Sequence, residues 1–398
     1  MPQSLARFMT NSPNHVPSRH SSFYRFEQSI TPRHRRGRLG VALTAALCAL
    51  VALSASAQNS PPKRGAATPC APSDGLSYVC GPVASEDLVR LPDSRWLIAS
   101  GLNVGAPAHL YLIDAHRKRA TIAFPPETVT PPPQSPSKMG CDGPPDLQRM
   151  SLDGLALRPG AARRHILYAA NHGDRMAIEV FAIDARGARP RLRWADCAML
   201  PAKTLPNAVA TLPGDGLLVI SFYDPTEPQS WARMARGEVT GRILQWHPGR
   251  GFTAVANGAT SGGNGLASSA DGRLVYASSW SARRLVVLSL TDASRKEIAL
   301  DFMPDNIHRL ANGSLLVAGQ RTTVAAIHAC TGPQCPQPWV IAHVEPQGGT
   351  VTELLSGPGT TAINYACGAV AISGTLFVTA RGAQRIAYRD VPGAAYLN

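Results

Sequence analysis

The residues most able to do chemistry stand in six short segments: Glu86-Asp87, Asp153-Gly154, Asn207-Ala208, Asn264-Gly265, Asp305-Asn306 and Cys367-Gly368. Each directly precedes a short apolar strand that leads through a tight turn into a second strand. A single Asp or Asn before a strand ordinarily forms a turn. Oxygen-bearing side chains in phase at five of the six places need another reason. The carboxylates of Glu86, Asp153 and Asp305 and the amides of Asn207, Asn264 and Asn306 form a hard-oxygen set. Calcium prefers such donors and accepts about six to eight of them in a flexible shell. Zinc favours nitrogen or sulfur, and magnesium a tighter octahedron. Gathering Glu86, Asp87, Asp153 and Asp305 without a cation would be repulsive, so the pattern points to bound calcium. The amides coordinate without cancelling all of the ion's charge, which leaves it a Lewis acid for a carbonyl or phosphoryl oxygen. A calcium with a purely structural role is the plainer alternative.

Convergence of these residues depends on the elements that follow them. The copies are Leu88–Ser100 (LVRLPDSRWLIAS), Leu155–Ala170 (LALRPGAARRHILYAA) and Val209–Ser221 (VATLPGDGLLVIS), then Leu266–Ser278 (LASSADGRLVYAS), Ile307–Gly319 (IHRLANGSLLVAG) and Ala369–Ala380 (AVAISGTLFVTA). Their turns use Pro-Asp, Pro-Gly, Asp-Gly, Asn-Gly and Ser-Gly, the residues a hairpin demands. The runs are short, rich in Val, Leu, Ile and Tyr, and no long helical periodicity interrupts them, which is an all-β signature. Starts spaced roughly 40 to 70 residues apart suit one four-stranded blade each. The expected fold is therefore an all-β, six-bladed β-propeller over residues 83–391. The innermost strand of each blade begins near one end of the central channel, so the residues before it meet on the axis as a central-channel calcium site.

The chain resembles the paraoxonase/arylesterase family, and more loosely the gluconolactonase and strictosidine-synthase-like propellers. The resemblance rests on Ser85-Glu86-Asp87-Leu88 with Leu91-Pro92, Ala99-Ser100-Gly101-Leu102, Asn171-His172, Leu205-Pro206-Asn207, Gln229-Ser230-Trp231, Asn264-Gly265-Leu266 with Asp271-Gly272, and Asp305-Asn306-Ile307. It implies a catalytic calcium held by Glu86, Asn207, Asn264, Asp305 and Asn306. It also implies a second, structural calcium, for which Asp87 matches one acid while the other falls on Ala208. A histidine pair that activates water is implied at His172 and at position 153, where this chain has Asp153. Either Asp153 acts as a general base or it becomes an additional ligand. His247, His308 and His328 are expected to be ordinary surface or packing residues.

The remaining sequence sets the context. In the first 57 residues Arg33, Arg35, Arg36 and Arg38 precede the apolar run Leu39–Leu53 and the small residues Ala55-Ser56-Ala57, as in a signal peptide. The run is too short to remain as a stable membrane span. An exported protein, periplasmic or secreted, is expected, with residues 58–82 as an extension and 392–398 as a tail. That leader holds seven Arg and one Glu, so it carries +6 of the formal +13 and leaves +7 on the rest. The remaining basic residues are scattered and not interleaved with aromatics, which argues against nucleic acid as a partner. Seven cysteines follow the leader without a CxxC. Export favours disulfides, with Cys70–Cys80, Cys141–Cys197 and Cys330–Cys335 as pairs and Cys367 left over. Asp224–Glu238 is the best helix candidate, with Trp231 and Met234 on one side, and Pro125–Pro145 with eight prolines is expected to be irregular.

Three functions follow. The first is a calcium-dependent hydrolase acting on a small lactone or aryl ester, with Asp153 or His172 assisting water. The second is a non-catalytic calcium-binding propeller that presents a ligand- or protein-binding surface. A condensing enzyme of the strictosidine-synthase kind is a third, and it would need no metal ring.

Overall fold

A computed structural model describes residues 70–125, 139–330, 336–392 and 397. The expected leader, most of the proline-rich stretch and Cys335 lie outside the described residues.

Among the described residues, twenty-four strands form six four-stranded antiparallel sheets. In five of them the strand order follows the chain, and the innermost strands are Ser85–Arg90, Leu152–Arg158, Pro206–Thr211, Gly263–Ser268 and Met303–Arg309. The sixth blade combines Ala366–Ile372, Thr375–Ala380 and Arg385–Asp390 with Ser77–Cys80 from the other end of the chain. Ser77 faces Tyr388 and Cys80 faces Arg385, so the first strand closes the ring on the last. This strand lies in the stretch read as an extension (58–82). It belongs to the propeller because the last blade lacks an edge partner of its own.

Blades pack face to face, so the core is divided into six slabs, one between each pair of neighbours. Leu152, Leu167 and Phe181 meet Ile98 and Leu110 in one slab, while Leu88 and Leu97 meet Val370 and Phe377 across the closing seam. Inner strands are therefore buried on both faces, as in Ser85–Arg90, while outer strands such as Arg119–Phe124 carry exposed residues. Full burial of each Leu, Ile or Phe contributes about 1.5–3 kcal/mol. The recurring hairpin turns tightly: between Ile372 and Thr375, Ser373 and Gly374 both have positive φ (51° and 79°), the two-residue turn that matches strand twist.

Among the described residues, two short α-helices pack together at one end of the propeller. α1 (Ser230–Ala235) lies within the segment expected to be helical, with Met234 buried and Trp231 partly so. α2 (Val324–His328) has no sequence forecast, since five residues are too few to show a helical period. Its start is capped by Thr323, whose side chain accepts from the Ala326 N–H. Met234, Trp280, Met303, Val324 and Ile327 form an apolar cluster there. Two disulfides, Cys70–Cys80 and Cys141–Cys197, join the expected partners. Cys330 is disulfide-bonded and Cys367 is the free thiol among the described residues. No helix of the described residues is long and apolar enough to cross a membrane.

Candidate metal centre and active site

All six inner strands depart from regular pairing at the same place. The register breaks between Ser85 and Leu88, Leu152 and Leu155, Pro206 and Ala208, Gly263 and Leu266, Pro304 and Ile307, and Ala366 and Gly368. The unpaired residues are Glu86-Asp87, Asp153-Gly154, Asn207, Asn264-Gly265, Asp305-Asn306 and Cys367. A bulge leaves its extra residue outside the ladder and re-aims its side chain, which is how a strand can present a polar group at the mouth of a channel. The phase in the sequence has this physical cause.

Glycines let the bulges approach one another. A Cβ on Gly154 would stand 2.8 Å from the Ala208 backbone of the next blade, and one on Gly265 would collide with the Asp305 carbonyl.

Most side chains at these positions are buried, and four of their oxygens lack a partner. Glu86 is 4% exposed, Asp153 6%, Asn264 5%, Asp305 1% and Asn306 2%. Asp153 Oδ1, Asn207 Oδ1, Asn264 Oδ1 and Asp305 Oδ1 are buried without a hydrogen bond, and they are the only carboxylate or amide oxygens in that state among the described residues. An unsatisfied buried polar oxygen costs roughly 1–3 kcal/mol, more when charged. Four at one channel mouth call for a cation. The other ends of these groups are held: Gln320 donates to Asp305 Oδ2 at 2.7 Å, and Asn207 Nδ2 to Asp153 Oδ2 at 3.2 Å. Asn306 Nδ2 donates to both Glu86 oxygens at 2.9 and 3.0 Å, and a half-turn of that amide would exchange its nitrogen for its oxygen. Burial, followed by repulsion from Asp153, Asp305 and Asp87, holds the Glu86 carboxyl well above the usual carboxylate range. Burial dominates at Asp305 as well, pushed up to about 8 against the opposing Gln320 hydrogen bond. The donor set fits a hard divalent cation such as calcium.

Asp87 has a different place. Its Oδ1 accepts from the Leu88 N–H at 2.8 Å and from His308 Nε2 at 2.7 Å, and its Oδ2 from the Leu155 N–H at 2.8 Å. These bonds tie the first blade to the second and fifth. Ala208 offers no side-chain oxygen, so the residues do not fit a second ion. His308, expected to be an ordinary histidine, is one of these ties. His328 stacks on Trp231 at 4.9 Å, and His247 pairs with Gln245.

His172 Nε2 lies 3.0 Å from Asp153 Oδ2, with the His side chain 15% exposed. His172 is the first residue past the second strand of its blade, and Leu102, Phe222, Trp280, Arg321 and Arg381 hold the corresponding places in the others. They make a rim outside the ring. Phe222, Trp231 and Trp280 pack with centroids 5.5 to 6.3 Å apart, and Arg381 lies 5.0 Å over the Tyr365 ring. Arg381's charge favours ionisation of Asp305. Gln320, which also accepts from Trp280 Nε1 at 2.9 Å, has no sequence signal of its own, and the Cys367 sulfur stands in phase with the ring without being an oxygen donor. A separate cavity of about 350 Å³ occupies the channel beyond the ring, lined by residues including Val89, Leu157, Thr211 and Leu397 and by no carboxylate.

No family model and no curated protein match the sequence. Solved structures do match the fold. A luciferin-regenerating enzyme is 13% identical with a TM-score of 0.50, covering 80% of this chain and 96% of that one. A gluconolactonase of Xanthomonas campestris is 16% identical with a TM-score of 0.50, covering 80% and 89%. A calcium-binding regucalcin of Agrobacterium tumefaciens is 13% identical with a TM-score of 0.46, covering 78% and 91%. At these identities the first two establish a shared propeller fold.

Proposed function

We propose that the chain is an exported, calcium-dependent hydrolase of lactones or aryl esters, of the paraoxonase/arylesterase kind. The observation that carries this reading is the group of four buried, unpartnered oxygens beside a His172–Asp153 pair. Glu86, Asn207, Asn264, Asp305 and Asn306 would hold the ion, which supplies Lewis-acid polarisation of the carbonyl and charge stabilisation of the oxyanion. The chain's own residues handle the water. With its proton on Nε2 and donated to Asp153, His172 leaves the Nδ1 lone pair to accept a proton from water at the half-wet rim. The Asp153 carboxylate orients the ring and stabilises the imidazolium that forms. Phe222, Tyr223, Trp231 and Tyr365 are partly exposed at the same end and give an aryl or lactone ring an apolar wall. The gluconolactonase among the similar structures supports lactone chemistry on such a fold. The two disulfides support an oxidising compartment.

Purified protein should hydrolyse a lactone or phenyl acetate, lose the activity in EGTA and regain it with calcium. Bound calcium without turnover on either substrate class would overturn the hydrolase and leave a non-catalytic calcium-binding propeller.

A further inference from the structure

We propose that Cys367 is the sixth side chain of the metal ring, giving a mixed oxygen–sulfur site that takes a thiophilic divalent cation of the cadmium or zinc type in competition with calcium. The inference rests on the channel cation site proposed above and adds a donor to it. Cys367 occupies the bulge of the last blade, in phase with the five oxygen-bearing positions. One ligand atom each from Glu86, Asp305 and Cys367 lie within 4.8 Å of one another, and all three residues are buried. The thiol is 1% exposed, and the other cysteines assigned among the described residues are in disulfides. Asp305 Oδ1 and Asn264 Oδ1, on residues 1% and 5% exposed, belong to the same ring and have no hydrogen bond.

Packing alone explains many buried cysteines, which behave as small apolar groups. Here the sulfur lies within 4.8 Å of two buried carboxylate oxygens, an unfavourable setting for an apolar filler. Its hydrogen bond to the Tyr365 carbonyl, at 3.2 Å, is the weak kind a thiol makes. Thiolate ligands select soft and borderline ions, whereas calcium takes oxygen. Ligation by Cys367 exchanges the S–H bond for a sulfur–metal bond and releases the thiol proton to solvent, beyond those the ring carboxyls give up, with no change of oxidation state.

The test titrates the metal-free full chain separately with calcium and with cadmium, following affinity by competition with a chromophoric chelator and sulfur ligation by the ultraviolet sulfur-to-cadmium charge-transfer band. One cadmium per chain with the band, displaced by excess calcium, is expected. Since even an outer-shell partner is worth about 10–100-fold in metal affinity, Cys367→Ser should lose the band and bind cadmium at least about tenfold more weakly. Cys367→Ala provides the same comparison if the serine variant does not fold, and the wild-type band is read without any substitution. Calcium binding with no cadmium band, or unchanged cadmium affinity in both variants, overturns the sulfur ligand and leaves the calcium site standing. Failure of the parent chain to bind either ion overturns both.

Discussion

Asp305 and Glu86 share one predicament: each is a carboxyl buried beside other carboxyls. Without a cation both hold their protons above the usual range, chiefly through burial, Asp305 up to about 8. The native state then binds more protons than the unfolded chain between the ordinary carboxylate pKa of about 4 and the raised value. The stability these two groups contribute to the metal-free protein is therefore fully present below about pH 4 and is lost as pH rises toward about 8. Saturating calcium supplies the missing charge and should flatten that fall. Melting temperatures across this range, in EGTA and in calcium, check it; a metal-free midpoint that rises with pH would contradict it. Asp87 makes the contrasting case. With three donors on its oxygens it braces three blades, and Asp87→Ala should cost about 3–5 kcal/mol in urea denaturation while the folded fraction still binds one calcium per chain. His172→Gln should instead leave calcium affinity intact and lower kcat about 10²–10⁴-fold, the usual contribution of a positioned acid–base group.

The bulge is the element that makes these residues a site. Because a bulge interrupts the ladder at one position, six of them in phase produce a ring whose members are far apart in the chain. Gly265 shows how little room the arrangement leaves. Gly265→Ala would press a methyl group into the Asp305 carbonyl and the Asn306 backbone, displacing two of the proposed ligands at once. The expected outcome is about 1–3 kcal/mol of lost stability together with weaker calcium binding, seen by thermal denaturation and calcium titration. Wild-type affinity in this variant would remove Asp305 and Asn306 from the site. The phase of the ring was legible in the sequence because hairpin turns and apolar runs mark each bulge from both sides. The partners were not: Gln320 reaches Asp305 from a strand that reads only as Leu-Leu-Val-Ala-Gly-Gln, and His308 meets Asp87 across more than two hundred residues. Local patterns record which face a residue lies on, and the blade across the channel leaves no local trace. Cys367 was in phase all along, yet residue type set it apart from the oxygens.

At the scale of the whole molecule, a propeller has one seam where neighbouring blades are not consecutive in sequence. Here Ser77–Cys80 pairs with Arg385–Asp390, and Cys70–Cys80 fastens that strand to the chain before it. The seam also runs through the ring, since Glu86 belongs to the first blade, its carbonyl accepts from Thr379 of the last at 2.8 Å, and its carboxylate meets Asn306 of the fifth. The closing strand and a cation bound in the ring would therefore hold the same joint from its two ends. Replacing both cysteines, Cys70→Ser with Cys80→Ser, frees a ten-residue loop and should lower stability by about 2–3 kcal/mol. Calcium at about 100 times its dissociation constant returns about 2.7 kcal/mol to any state that binds it natively, so the reduced joint should regain nearly all of the loss. Urea denaturation of parent and variant, each with calcium and with EGTA, measures both terms. A variant that binds calcium as tightly as the parent shows that strand closure is not needed to assemble the ring. A variant that calcium fails to stabilise at all shows that the ring forms only after the seam is shut, and makes closure the step on which the site depends.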